Sequence, residues 1–513
     1  MRSHTQHPGY PAMIRVAHEA LALLRVRDTP STWIVAARLA SGACGLLSVV
    51  AVWLLSRRLC GDQVASVAAV LFAALPVARE NAADALSDTP HILFYTLAVW
   101  LVCVGVESRS WRWMFAAGCA SGIAYWIRPE GLSVAVITAA ALVAWIAWSR
   151  AKTWKFHLAG ATAVALAALL VSLPYALTTG NLSGKILEKR NIVAALNPPE
   201  TLAAAAPQPG PTRNPAEREP QRTAPRPGGG SSQSAETSPG IRSSLTQFGY
   251  TLWLAIHRLA TVLIQRLHLL LFPLGFALWT NRENFRRRPA LSLVLTLGAF
   301  HLLLLILLYF AGGYIDRRHL IPLTALSMPL AGLGITQFTR NLAARFRPLV
   351  RSTLTSDGPA PFWVTAAVVA ALVAVMLPRS LRPLHLVRMP VYQAAEWLRL
   401  NGHADDIIVS NSLYVPFFLG KATTLLNANC RLIADHQEIA EAKQRHYVVL
   451  DCSDTDNFDP AWQETANSTG VLVKDFFTRV QDRKREVLVF ANREHSTYRV
   501  AGRDASVREH SVR

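Results

Sequence analysis

Apolar stretches long enough to cross a bilayer recur along the first three quarters of the chain, separated by short charged turns. A spanning helix needs roughly 20 apolar residues, with a range of about 17–25. By that measure spans are predicted near 32–55, 62–79, 89–106, 113–127, 132–148, 157–179, 252–279, 291–311, 320–338 and 361–379, about ten in all. Ahead of them, Met13, Ile14, Val16, Ala17, Ala20, Leu21 and Leu24 form one helical face, with Arg15, His18 and Glu19 on the other. That is the pattern of a helix lying in the membrane interface. After Pro378 the pattern changes. Val391–Asn401 reads as an amphipathic helix with Ala394, Ala395, Trp397 and Leu398 inward. Strands are predicted at Asp406–Ser410, Ala422–Leu426, Tyr447–Asp451, Val471–Lys474, Val487–Phe490 and Thr497–Val500. The runs DIIVS and YVVLD are apolar enough to be buried parallel strands. The expected fold class is an α-helical polytopic membrane protein with a small C-terminal α/β domain.

The domain plan follows. Residues 1–31 form an interfacial segment, 32–179 carry helices 1–6, and 180–248 form a loop. Residues 249–379 carry helices 7–10, and 380–513 form the α/β domain. Within the loop, residues 198–239 contain ten prolines in 42 residues and a single large aliphatic, Leu202. Such a segment cannot bury a core and is expected to be a disordered linker.

Composition supports the membrane class: 51% of residues are hydrophobic and 17% charged, against about 25% charged in soluble domains. A net charge of +19 would suit a nucleic-acid binder, but the cations sit in short loops between apolar runs. One alternate set holds Arg57, Arg58, Arg109, Arg112, Arg150, Lys152, Lys155, Arg282, Arg286–Arg288, Arg340, Arg345, Arg347 and Arg351, fifteen basic residues. The opposite short loops hold four: Arg79, Arg128, Arg317 and Arg318. The positive-inside tendency places the first set in the cytoplasm and both chain ends outside. The expected location is the cell (inner) membrane, multi-pass, with the C-terminal domain extracytoplasmic. No signal peptide or earlier span delivers Met1–Pro11 to that side, so a further span upstream is expected. Of six cysteines, Cys44, Cys60, Cys103 and Cys119 lie in or beside apolar runs as small core residues, whereas Cys430 and Cys452 are available to pair in an oxidising compartment.

Ionisable residues near the membrane are costly unless solvated, paired or functional, which directs attention to the outer loops. The first cluster is Arg79, Glu80, Asn81, Asp84, Ser87 and Asp88. On a continuous helix Glu80, Asp84 and Asp88 would share one face, suited to a divalent cation (Mg or Mn) or a sugar hydroxyl. Equally, Asp88 or Thr89 suits an N-cap with Pro90 in the first turn. The second cluster is Arg128-Pro129-Glu130-Gly131, a tight turn that either binds phosphate through Arg128 or decorates a hairpin. The third is Tyr314, Asp316, Arg317, Arg318 and His319. Paired outer arginines suit a lipid phosphate, or snorkel to headgroups. The fourth is His7-Pro8-Gly9-Tyr10-Pro11, a turn with His4 and His7 as candidate bases. No Walker A, GxSxG or HExxH motif occurs.

The stretches HPGYPAMI, AARLASGACGLLSVVAVWLLSRRLCG, ALSDTP, GIAYWIRPEG and YIDRRHLIPLTALSMPLAGLGI, in that order, resemble the GT-C glycosyltransferases. The likeness is to the branch of protein O-mannosyltransferases and lipid A aminoarabinose transferases, over roughly residues 7–340. It implies inverting transfer of a sugar from a polyprenyl-phosphate donor to an extracytoplasmic protein, lipid or glycan. It also implies that a cation or basic groups stabilise the departing phosphate. Asp88 and Asp84 match the second-loop acids, and Arg317 and Arg318 the late basic motif. His7, Tyr10, Glu80, Arg128 and Tyr314 complete the expected substrate-binding set. The family's principal acid lies upstream of its HPGYP-like motif, where this sequence has only Met1–Gln6, none acidic. Two readings compete with the enzyme: a non-catalytic membrane scaffold of the same family, and a lipid or sugar transporter.

Overall fold

The computed structural model describes residues 7–83, 86–149, 154–179, 241–312, 317–350, 362–381, 389–402, 406–410, 415, 424–425, 446–452, 470–480 and 483–492. They fall into two units, Met1–Leu23 with Val35–Ser380, and Leu24–Ile34 with Leu381–Arg513.

The first unit is helical. Its elements are α1 (Gly9–Leu23), α2 (Pro30–Cys60), α3 (Asp62–Ala74), α4 (Pro76–Ala83), α5 (Asp88–Ser108), α6 (Trp111–Ile127), α7 (Ser133–Ser149), α8 (Trp154–Thr179), α9 (Ile241–Thr280), α10 (Arg282–Arg287), α11 (Pro289–Gly312), α12 (Ile321–Val350) and α13 (Phe362–Ser380), with 3-10 turns at Pro129–Leu132 and Arg317–Leu320. Among the described residues six helices are long and apolar enough to cross a membrane: Thr32–Cys60, Asp88–Ser108, Pro129–Ala147, Trp154–Leu177, Pro289–Phe310 and Ile321–Arg345. Two bent pairs raise the number to eight: Asp62–Ala74 with Pro76–Ala83, at 57°, and Gly249–Gln265 with Leu269–Thr280, at 106°. Two further apolar stretches, α6 and Phe362–Pro378, are 17 residues or fewer and fall short of that length, so the described residues give six to eight spans where about ten were expected.

Local chemistry explains the breaks. Leu75 precedes Pro76 and is extended (φ −64°, ψ 124°), ending α3, because the proline ring disfavours a helical residue before it. Gly61, at φ +92°, makes the tight reversal from α2 to α3. In α9, Pro273 removes the hydrogen bond to residue 269, where the second arm begins.

Two apolar cores hold the bundle. One joins Leu55, Tyr95, Val99, Met114, Val134, Val164, Val294 and Leu326, and the other Val52, Leu71, Phe72, Leu270, Met328 and Ile335. The two ends of the bundle differ in chemistry. At one end Arg57 pairs with Asp62 (2.6 Å), Arg58 with Glu107 (2.5 Å), Arg288 donates to the Leu59 carbonyl (3.1 Å) and Arg340 to Gln63 (2.9 Å). These arginines belong to the set expected in the cytoplasm. The opposite end carries Asp88, Arg128 and Glu130.

The second unit contains α14 (Met389–Asn401) and strands β1 (Ile407–Ser410), β2 (Thr424–Leu425), β3 (His446–Asp451), β4 (Gly470–Val480) and β5 (Arg483–Asn492) in the order β2-β1-β3-β5-β4. β1 is parallel to β2 and β3, as DIIVS and YVVLD suggested; β5 is antiparallel to β3 and β4. Val391, Ala394 and Leu398 of α14 pack with Ile408, Tyr447, Val449, Val487 and Val489, while Val448, Leu450, Leu488 and Phe490 line the other face. Trp397 lies edge-on to Tyr447, 6.0 Å between rings. β4 and β5 run longer than expected because charged residues such as Lys474 and Arg485 interrupt the apolar signal. The linker 198–239, the strand Thr497–Val500 and Cys430 lie outside the described residues.

Candidate active site

The Arg-Pro-Glu-Gly turn is built tightly. Arg128 leaves α6 in an extended conformation (φ −152°, ψ 141°), and Pro129 starts the 3-10 turn that leads into α7. The Ser121 hydroxyl donates to the Gly131 carbonyl (2.7 Å) and accepts from the Ala135 amide (3.3 Å), tying turn and helices together. A Cβ at Gly131 would overlap the backbone of Ala124 and Tyr125, so only glycine permits this approach.

The turn delivers Arg128 to two acids. Its Nη1 pairs with Asp88 Oδ1 at the start of α5, and its Nε lies 3.5 Å from Glu130 Oε2. The Asp88 side chain is 4% exposed and that of Arg128 19%. Asp88 therefore spends its charge on Arg128. The N-cap position belongs to Ser87, and no side-chain cap bond is made there.

Below this ion cluster lies a buried polar layer. His91 and Tyr95 of α5 lie tilted with 5.6 Å between rings, and Tyr95 meets His301 of α11 edge-on at 6.2 Å. Glu130 interacts electrostatically with His91, His301 and His319. His301 Nε2 lies 2.8 Å from the His319 carbonyl, which fixes the Arg317–Leu320 turn beside the cluster.

The HPGYP segment closes one side. The His7 ring contacts Tyr125 (5.9 Å) and Tyr175 (5.1 Å). Burial holds the His7 imidazole below its usual 6.5, opposed by the nearby Glu130 charge. The Tyr10 hydroxyl bonds Ser41 (2.9 Å) and donates to the Ala37 carbonyl (3.3 Å), and Ser41 donates to the Leu86 carbonyl (3.4 Å) just before Asp88.

Of the residues expected from sequence, Asp88, Arg128 and His7 come together, and Tyr10 braces them through α2. Glu80 lies on α4, a helix separate from α5, so Glu80 and Asp88 do not continue along one helical face. Asp84, Tyr314 and the side chains of Arg317 and Arg318 lie outside the described residues. Sequence reasoning passed over the site roles of Glu130, His91, Tyr95 and His301. Glu130 looked like a hairpin ornament. The histidines sit inside apolar spans, and only their unusual position within a span could have marked them. Among the described residues no three His, Cys, Asp or Glu side chains converge as metal ligands. The two central acids are engaged by Arg128.

Residues 30–175 match the family described as dolichyl-phosphate-mannose-protein mannosyltransferase. No curated protein sequence matches the chain. Among solved structures, ArnT from Cupriavidus metallidurans in the apo state superposes with a TM-score of 0.51 at 15% identity, covering 95% of this chain and 87% of ArnT. ArnT bound to undecaprenyl phosphate gives 0.51 at 17% identity, covering 97% and 89%. The oligosaccharyltransferase AglB from Archaeoglobus fulgidus, in complex with an inhibitory peptide and a dolichol-phosphate, gives 0.53 at 12% identity, covering 95% of this chain and 66% of AglB. The fold of this chain is thus similar to that of the solved ArnT and AglB structures.

Proposed function

We propose that the chain is a glycosyltransferase of the cell (inner) membrane that moves a sugar from a polyprenyl-phosphate donor to an extracytoplasmic acceptor. The observation that supports this most is the buried Asp88–Arg128–Glu130 cluster, linked through His301 and His319 to the Arg317-Arg318 turn, on a GT-C fold. The solved ArnT and AglB complexes hold undecaprenyl phosphate and a dolichol-phosphate, the donor's lipid chemistry.

In the proposed step an acceptor hydroxyl oxygen bonds to the anomeric carbon of the sugar while the carbon–oxygen bond to phosphate breaks. The electron pair leaves on the phosphate oxygen. Fixed cations around that oxygen lower the barrier because the charge develops there. Arg128 alone faces two carboxylates, so an ionised cluster carries a net charge of −1 and would repel a phosphate. The additional cations are Arg317 and Arg318, whose turn is anchored at the cluster. Guanidinium groups match phosphate oxygens with paired donors. The acceptor proton passes to Glu130, whose Oε2 is ion-paired with Arg128 Nε at 3.5 Å without a hydrogen bond, while Asp88 orients Arg128.

The test incubates membranes carrying the full chain with a radiolabelled polyprenyl-phosphate sugar. Label should pass to a membrane or extracytoplasmic acceptor, and Glu130→Gln should abolish transfer. Equal transfer by membranes lacking the chain would reject the enzyme and favour a scaffold. Movement of intact lipid-linked sugar across the bilayer without transfer would favour a transporter.

A further inference from the structure

The buried layer under the ion cluster is left unexplained by phosphate chemistry. His91, Tyr95 and His301 are buried in the bundle. His91 Nε2, His301 Nδ1 and the Thr89 hydroxyl are sealed from solvent without hydrogen-bond partners among the described residues, and the equally sealed hydroxyls of Tyr95 and Ser133 have only each other nearby. A buried polar atom left unpaired costs about 1–3 kcal/mol, and native interiors hold few of them. Here His91, Tyr95 and His301 adjoin one another, with Ser133 beside Tyr95 and Glu130 close to both histidines.

Their chemistry identifies what they can bind. The His319 oxygen is a carbonyl and can only accept, so His301 Nε2 carries the proton. The remaining nitrogen, Nδ1, is then a lone-pair acceptor in the neutral ring. Tyr95, Ser133 and Thr89 each donate and accept. Neutral donors and acceptors of this kind complement hydroxyl groups, which also do both. An anion, which only accepts, would leave their acceptor sites unpaired. Aromatic faces of Tyr95 and the two imidazoles add the apolar surface that the C–H face of a sugar ring requires.

We propose that His91, Tyr95, Ser133 and His301 form the subsite that receives the hydroxyls of the transferred sugar, beneath the phosphate held by the arginines. This rests on the polyprenyl-phosphate reading above and assigns the sugar-discriminating residues within it. A site built to hydrogen-bond a hydroxyl discriminates strongly against ligands lacking it, because its buried groups are then left unpaired.

The experiment measures binding of three probes to the purified full-length protein in nanodiscs: undecaprenyl phosphate, undecaprenyl-phosphate mannose and undecaprenyl-phosphate arabinose. Wild type should bind at least one sugar-bearing probe more tightly than the bare phosphate. Tyr95→Phe and His91→Gln should each weaken that probe about fivefold to tenfold, the size of one hydrogen bond, and leave the bare phosphate within about twofold. Ser133→Ala, which removes a single oxygen and preserves the helix, provides the same comparison should the larger changes disturb folding. If all three variants lose both probes in equal proportion, or lose neither, the subsite is overturned while the donor reading stands. If wild type binds bare and sugar-bearing lipids equally, the subsite is likewise overturned. If wild type binds none of the three lipids, the donor reading falls and the subsite with it.

Discussion

Replacing Arg128 by Gln removes the cation that Asp88 and Glu130 share. Because Asp88 is 4% exposed and Arg128 19%, the change leaves a carboxylate buried without its partner. Breaking one side of such a pair costs about 3–5 kcal/mol. The Arg58–Glu107 pair at the other end of the bundle is the built-in control: its ions approach to 2.5 Å but are 40% and 34% exposed, so Arg58→Gln should cost no more than about 1 kcal/mol. Thermal unfolding in nanodiscs of fixed lipid composition reads the difference. At ~2 °C per kcal/mol, Arg128→Gln should lower Tm by about 6–10 °C and Arg58→Gln by about 2 °C or less. Asp88→Asn combined with Arg128→Gln should recover part of the loss, with a coupling of about 2 kcal/mol. Additive single effects, or an Arg128 loss no greater than that of Arg58, would refute the claim that the ion pair organises this end of the bundle.

Three further outcomes follow from the same geometry. Burial lowers the His7 pKa below 6.5, so the unfolded segment binds a proton that the docked one resists. Docking of residues 7–10 should be intact above pH 6.5 and weaken as pH falls below it, and His7→Gln should flatten that dependence in hydrogen exchange of α1. Tyr10→Phe removes the hydroxyl bonded to Ser41 and Ala37 and should cost about 1 kcal/mol, seen as faster exchange in α1 and none in α8. Gly131→Ala places a methyl group against the Ala124 and Tyr125 backbone, which should destabilise by about 1–3 kcal/mol and, by shifting Arg128, reduce donor binding as well.

Helices here were readable because a bilayer-length apolar run has few alternative structures. The bends at Leu75 and near Leu269 left weaker marks, since each prolines' effect falls on a residue before it. The α/β unit showed its short central strands through continuous apolar runs, whereas the charged ladder of β4 and β5 concealed their length. In the site, Asp88 and Arg128 stood out because each is an ion beside a span. Their partnership did not, because 40 residues separate them and only the packing of α5 against α6 joins them. His91 and His301 were the least visible. Each is one polar residue in an apolar helix, and its significance depends on a neighbour from another helix. The α4–α5 break also redistributed the acids: a continuous helix would have aligned Glu80 with Asp88, but Asp88 turns instead to Arg128.

Where the lipid phosphate sits is the point on which the functional reading depends most. Undecaprenyl phosphate bearing a photoreactive group next to its phosphate can be crosslinked to the full-length protein and the adducts mapped by peptide mass spectrometry. Adducts should fall on the peptides containing Leu86–His91 and Arg128–Ser133, and diminish when unlabelled undecaprenyl phosphate competes. Competed adducts confined to the Arg57–Asp62 and Arg288 end of the bundle would contradict the account.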